Sequence, residues 1–179
     1  MALPALLMPA LLLPALLLAA MLGGCGLQPM YGGGGSGAVA RDVAAVAISP
    51  IEGKAGYLVR NALSDRMNAA GQASARFRLD VRLDEKLVGM IVRSDTSVSR
   101  ERRVMRARYQ LVDLASGAIL LDATADADAG IDIVSSEYAV IGAEQTAQEN
   151  LARDLANQIV THVATRLRQA ESAGAAHTP

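Results

Sequence analysis

Three successive runs of alternating apolar and polar residues constrain this chain more than any other feature. In the first, Phe77, Leu79, Val81 and Leu83 alternate with Arg78, Asp80 and Arg82. In the second, Met105, Ala107, Tyr109 and Leu111 share one side, and Arg102, Arg106, Arg108 and Gln110 share the other. In the third, Ile119, Leu121, Ala123 and Ala125 oppose Asp122, Thr124 and Asp126. A period of two sends successive side chains to opposite faces, so each run reads as a strand with one buried and one wet face. The first strand is expected to continue through Leu87–Val92, with a turn over Arg93-Ser94-Asp95-Thr96 and another at Ala115-Ser116-Gly117.

Register follows from parity, because a slip of one residue would turn a whole apolar face to solvent. A three-residue loop at 115–117 sets Arg106 opposite Asp126 and Gln110 opposite Asp122. A hairpin centred near Ser94 sets Leu79 beside Tyr109 and Val81 beside Ala107. Three antiparallel strands then share one apolar face, and helices must cover it. Tyr57 to Ala70 reads as a helix with Val59, Leu63 and Met67 on one side and Gly71 as its C-terminal cap, after a turn at Gly53–Gly56. Glu144 to Gln169 reads as a second, with Ala147, Leu151, Leu155, Ile159, Val163 and Leu167 recurring three to four apart. Val43–Ile48 reads as a first strand, buried on both faces and ended by Ser49-Pro50. The expected architecture is an α+β two-layer sandwich of order βαβββα, both helices packed on one face of a mostly antiparallel sheet.

Upstream, an Ala/Leu-rich stretch closes on Met21-Leu22-Gly23-Gly24-Cys25-Gly26. Leu, two small residues and Cys form the bacterial lipobox, after which a signal peptidase cuts before Cys25 and a diacylglyceryl group is joined to its sulfur. A membrane-spanning helix would also need about 20 apolar residues. Pro4, Pro9 and Pro14 interrupt this run and favour a cleaved leader. Cys25 is the only cysteine, so an internal disulfide is excluded, and lipidation accounts for a lone thiol in an exported chain. Gly26 is not the Asp that retains many lipoproteins at the inner membrane, which favours the outer one. The expected organisation is signal peptide 1–24, lipidated Cys25 with a glycine-rich tether to 40, a folded domain 41–170 and a disordered tail 171–179.

The function classes left are few. The formal net charge is −1 and aromatics make up 3% of the chain, so neither a basic footprint nor a stacking platform for nucleic acid is present. His162 and His177 are the only histidines, and no His/Cys/carboxylate cluster has metal-ligand spacing. His162 reads as a surface or boundary residue. Asp126 and Asp128 share a strand face and read as partners for arginines. No nucleophile-elbow serine supports a hydrolase. Arg93, Arg100, Arg102, Arg103, Arg106 and Arg108 crowd a short span that contains no lysine. Two readings stand for them: cross-strand pairing with Asp122, Asp126 and Asp128, or an anion-docking surface, since guanidinium binds phosphate and carboxylate through a planar fork. Arg100, Arg102, Arg103 and Arg106 are the candidates for contact with an anionic lipid.

Several segments together resemble the LPS-assembly lipoprotein family LptE in its alphaproteobacterial form. They are Cys25-Gly26-Leu27-Gln28-Pro29-Met30-Tyr31-Gly32, Val59-Arg60-Asn61-Ala62-Leu63, Tyr109-Gln110-Leu111 with the Ser116-Gly117 turn, and Ser136-Glu137-Tyr138-Ala139 followed by Ala143-Glu144-Gln145. Where members often carry a Ser-Tyr-Asn-like segment, this chain has Ile131-Asp132-Ile133-Val134. The resemblance implies a βαβββα sandwich without enzymatic activity or cofactor, lipid-anchored at Cys25 in the outer membrane, facing the periplasm. It also implies a partner, the large LptD barrel, which such proteins plug and help to assemble, and a part in delivering lipopolysaccharide to the cell surface. A free-standing lipoprotein that binds a lipidic ligand is the alternative, and it calls for an apolar pocket between sheet and helices.

Overall fold

The structure, a computed structural model, describes residues 37–71, 73–91 and 99–175. The leader, Cys25, the tether up to residue 36, the turn expected at 93–96 and the last four residues lie outside the described residues. Helix α1 (Ala38–Ala44) leads into a three-residue strand β1 (Val46–Ile48). Helix α2 (Gly53–Met67) follows and tightens into a 3₁₀ turn at Asn68–Ala70. Strands β2 (Phe77–Ile91), β3 (Ser99–Asp113) and β4 (Ile119–Asp132) come next, and helix α3 (Glu137–Ala175) closes the order. The strands lie side by side as β1-β2-β3-β4, with β1 parallel to β2 and the other neighbours antiparallel. The architecture is the α+β sandwich that the alternation requires, with a short helix added at the front.

Parity decides the core. Phe77, Leu79, Val81, Met105, Ala107, Tyr109, Leu111, Ala125 and Ile131 are buried, and every one is odd-numbered. Against this face α2 turns Val59, Leu63 and Met67, and α3 turns Leu151, Leu155, Ile159 and Val163, all essentially inaccessible. Alanines 107, 125, 156 and 164 stand among these larger side chains and let the two layers approach closely.

The register is half as expected. Arg106 faces Asp126 and Gln110 faces Asp122, as the 115–117 loop requires. Asp113 Oδ1 secures that loop, accepting from the backbone N–H of Ala115 (2.9 Å) and Ser116 (2.8 Å) and from Ser116 Oγ (2.9 Å), while Gly117 takes φ +73°. The β2–β3 hairpin differs by one two-residue step. Leu79 pairs with Leu111 and Val81 with Tyr109, rather than Leu79 with Tyr109 and Val81 with Ala107. Such a slip leaves every side chain on its proper face, so burial cannot choose between the two alignments.

Four boundaries also differ. Val43 and Ala44 end α1 instead of opening β1, and α1 crosses the boundary expected at 40/41. β1 is an edge strand with Ala47 exposed, not a strand buried on both faces. Gly53–Gly56 is the first turn of α2 rather than a separate turn. α3 begins at Glu137 and runs to Ala175, so the helix enters the tail expected to be disordered. Ile119 is 55% exposed, because a register shift at Leu111/Val112 rotates the start of β4 off the apolar face. No helix among the described residues is long and apolar enough to cross a membrane.

Gly56 has a packing reason. A Cβ there would lie 2.6 Å from the Ile51 carbonyl oxygen, a backbone atom that cannot swing away. Gly56→Ala is expected to lower stability by about 1–3 kcal/mol, as overpacking does. Leu155→Ala, which empties a fully buried site, is expected to cost about 2–5 kcal/mol. Urea unfolding followed by circular dichroism measures both; a wild-type midpoint for Gly56→Ala would show that the Ile51–Gly56 turn relaxes freely.

Candidate functional site

Among the described residues the even-numbered face of the sheet carries no helix, and Arg78, Arg82, Arg100, Arg102, Arg106 and Arg108 lie on it. Arg102 Nε donates to Asp128 Oδ2 (2.9 Å), and Arg100 pairs with Asp132 (3.3 Å). Arg108 grips Asp122 at two points, Nε to Oδ1 at 3.4 Å and Nη2 to Oδ2 at 3.2 Å, and Gln110 Nε2 donates to the same carboxylate at 2.8 Å. These contacts hold Asp122 and Asp128 below the usual carboxylate range, chiefly through the hydrogen bonds from Arg108 and Arg102. Asp113 is also held low, first by the backbone N–H of Ser116. Arg106 stands between Asp84 and Asp126 in register but forms no ion pair with either.

Arg103 is separate from the other three arginines of the expected surface. It is odd-numbered, so it points under the helices, and its side chain is only 14% exposed. Its Nη1 donates to Glu85 Oε1 (2.6 Å), its Nη2 lies 3.8 Å from Glu144 Oε2, and buried Gln148 donates to Glu85 Oε1 at 3.2 Å. This network ties β2 and β3 to α3 beyond Met105. Arg103 Nε is buried without a hydrogen-bond partner, which is consistent with a group committed to the interior. The exposed even-numbered face therefore contains Arg100, Arg102 and Arg106 but not Arg103. The signal was present in the sequence: Arg103 has the parity of Met105.

Reasoning from sequence also passed over Arg82. The observed register sets it directly opposite Arg108, where the expected register would have set it opposite Arg106. Among the described residues Arg82 has no hydrogen-bonding or ion-pair partner. Arg82 and Arg108 line an open cleft of about 920 Å³, together with Asp80, Gln110 and the Ser49–Glu52 segment. Asp80 is engaged there, accepting from Ser49 Oγ at 2.6 Å and from Arg78 Nε at 3.0 and 3.1 Å.

His162 is exposed on α3 yet shares a 2.5 Å hydrogen bond through Nδ1 with the hydroxyl of fully buried Tyr109. Burial pushes that hydroxyl up to about 12, so Tyr109 stays protonated at neutral pH and the pair closes the core boundary. Among the described residues no group of His, Cys, Asp and Glu could hold a metal ion.

Among the described residues the fold thus combines a charged sheet face with a helix-covered apolar core. Residues 43–163 match the family model described as LptE, lipopolysaccharide-assembly, and the chain belongs to that family. It is a non-enzymatic family of lipopolysaccharide-transport lipoproteins with no known cofactor. The protein is accordingly a membrane-associated lipopolysaccharide-assembly lipoprotein that works with the transport machinery. No curated protein matches the chain. Solved structures share its fold. A Caulobacter crescentus CB15 protein provisionally named a lipoprotein is 24% identical, with a TM-score of 0.59 over 73% of this chain and 96% of its own. Uncharacterized lipoprotein B of Nitrosomonas europaea is 14% identical, with a TM-score of 0.52 over 66% and 81%. A Helicobacter pylori protein, provisionally named a neuraminyllactose-binding hemagglutinin homologue, is 12% identical, with a TM-score of 0.51 over 73% and 88%.

Two outcomes follow from the arginine placement. Arg103→Ala strands Glu85 in a partly buried position and is expected to lower stability by about 1–3 kcal/mol, whereas Arg102→Ala leaves the thermal midpoint essentially unchanged. In a carboxylate NMR titration, Asp122 and Asp128 protonate below the usual range, so the stability they contribute is present above the ordinary carboxylate pKa and lost as pH falls through their lowered values. Arg108→Gln should return Asp122 toward the usual range and leave Asp113 where it is. Equal movement of both would contradict the pairing.

Proposed function

We propose that the protein is an outer-membrane lipoprotein, anchored by a diacylglyceryl and N-acyl (palmitate-type) lipid on Cys25 after removal of the signal peptide 1–24. In this reading its periplasm-facing domain plugs and helps to assemble the LptD barrel and takes part in delivering lipopolysaccharide to the cell surface. The family match over residues 43–163 carries the reading. Two features support it. The sequence places a lipobox cysteine at the head of a Gly32–Gly37 segment that can act as a flexible tether. Leu87, opposite Arg103, its neighbour Val88, and Val134, Tyr138 and Ile141 are each about half or more exposed, and exposed apolar groups of this kind commonly meet a protein partner.

Arg100, Arg102 and Arg106 remain the proposed contacts to lipopolysaccharide on the open face. The free-standing lipid-binder alternative calls for an apolar pocket between the layers. The large side chains facing each other across the layers are essentially inaccessible among the described residues, and the described cleft lies on the outer face instead.

Affinity purification from detergent-solubilised outer membrane, followed by mass spectrometry, is expected to recover a large barrel protein. Cys25→Ala is expected to abolish membrane attachment, read by fractionation and by the loss of lipid mass. Recovery of the wild-type protein always alone would overturn the barrel partnership, and undiminished membrane attachment of Cys25→Ala would overturn the anchor.

A further inference from the structure

Arg82 and Arg108 present an arrangement that the fold itself does not explain. Like charges directly opposite on a sheet face are destabilising. Neither side chain can escape to the other face, because the register that opposes them also buries Val81 and Tyr109 beside them. Asp122 compensates only Arg108, and from one side, using Nε and Nη2. Among the described residues the remaining donors of Arg108 stay available, and Arg82 keeps its whole fork. Both guanidinium groups line the same cleft as the Ser49–Glu52 segment. The acidic groups of the cleft do not close it off: Asp80 is held by Ser49 and Arg78, and Glu52 is exposed and makes no ion pair among the described residues.

We propose that Arg82 and Arg108, opposed across β2 and β3 in the cleft walled by Ser49–Glu52, form a binding site for a phosphate monoester carried by a lipid headgroup. The inference rests on the lipopolysaccharide-delivery reading and deepens it by naming the group recognised. A phosphate monoester carries close to two negative charges and several acceptor oxygens, which match two adjacent forks, and charge-assisted bonds to arginine are the strong ones. Binding would relieve the repulsion between the two cations. Asp122 orients Arg108 without occupying Arg82, so the site is half organised before the ligand arrives. The site differs from the Arg100 and Arg102 positions, whose forks already engage Asp132 and Asp128.

The test uses the full lipidated protein in detergent and three probes: bis-phosphorylated lipid A, the same lipid A with its phosphates removed, and inorganic phosphate. Calorimetry reads affinity, and the arginine Nε–Hε NMR signals read the site. Wild type should bind phosphorylated lipid A at least about tenfold more tightly than the dephosphorylated form, the scale of one charged hydrogen bond. Arg82→Gln with Arg108→Gln should remove that difference, Arg82→Lys with Arg108→Lys should restore part of it, and Arg153→Gln, at an exposed position of α3 outside the cleft, should retain it. Thermal midpoints like wild type would establish that the variants fold.

Equal affinity of the double glutamine variant for phosphorylated lipid A would overturn the site while leaving lipopolysaccharide delivery standing. Failure of wild type to bind either lipid A would overturn the delivery reading and, with it, the lipid source of the phosphate. If inorganic phosphate alone then shifted the Arg82 and Arg108 signals, the cleft would be a free-phosphate site instead. Absence of any such shift with all three probes would leave Arg82 as a solvated surface cation and overturn the proposal outright.

Discussion

Leu151, Leu155, Ile159 and Val163 of α3 share one core with Met105, Ala107, Tyr109 and Leu111 of β3, the central partner in the three-stranded antiparallel array. Each of these side chains is essentially inaccessible, and burial of one large aliphatic group contributes roughly 1.5–3 kcal/mol. The rest of the molecule depends on this contact. Without α3 the odd-numbered face would meet water, and β2–β4 would be a long exposed apolar sheet. α3 also protects the free edge of β4: Gln158 Nε2 donates to the Asp126 carbonyl (3.0 Å) and Arg166 Nε to the Leu120 carbonyl (2.7 Å). Capping those acceptors makes that strand a poorer template for pairing with another chain.

A polar network interrupts the apolar face beyond Met105, with Ile131 buried further along it. Arg103, Glu85, Gln148 and Glu144 occupy the sheet–helix interface beyond Met105, on the same face as the apolar residues. Removing one member of a partly buried network of this kind leaves a charge unpaired. Among the described residues, Val134, Tyr138 and Ile141 after β4 and at the start of α3 are about half or more exposed. The opposite sheet face needs no cover because its cations and carboxylates are hydrated or paired across strands. One molecule thus separates a face that builds the fold from a face that can meet an anionic ligand.

Much of this could be read from the residues. Alternation at 77–83 and 105–111 named the buried residues of β2 and β3 correctly, and the short 115–117 loop set the β3–β4 register. The misread elements share a physical cause. Val43-Ala44 is apolar at both helical and strand periods, and only packing against α3 and the 3₁₀ turn decides that it ends a helix. Glu137–Ala143 lacks a continuous apolar stripe, so its helicity follows from continuity with the buried part of α3. Arg103 was grouped by proximity in sequence with arginines that face the other way. Arg82 was passed over because its neighbour across the sheet depends on register.

The sequence by itself determined which side of each strand is buried, since side-chain direction alternates with a fixed period and water excludes only one set. It also determined the family, through the order of its short segments. The tertiary structure alone decided the two-residue alignment of the β2–β3 hairpin, and so which arginine faces which. Both alignments bury the same residues, so local alternation cannot choose between them, and the choice falls to packing between parts of the chain that are distant in sequence.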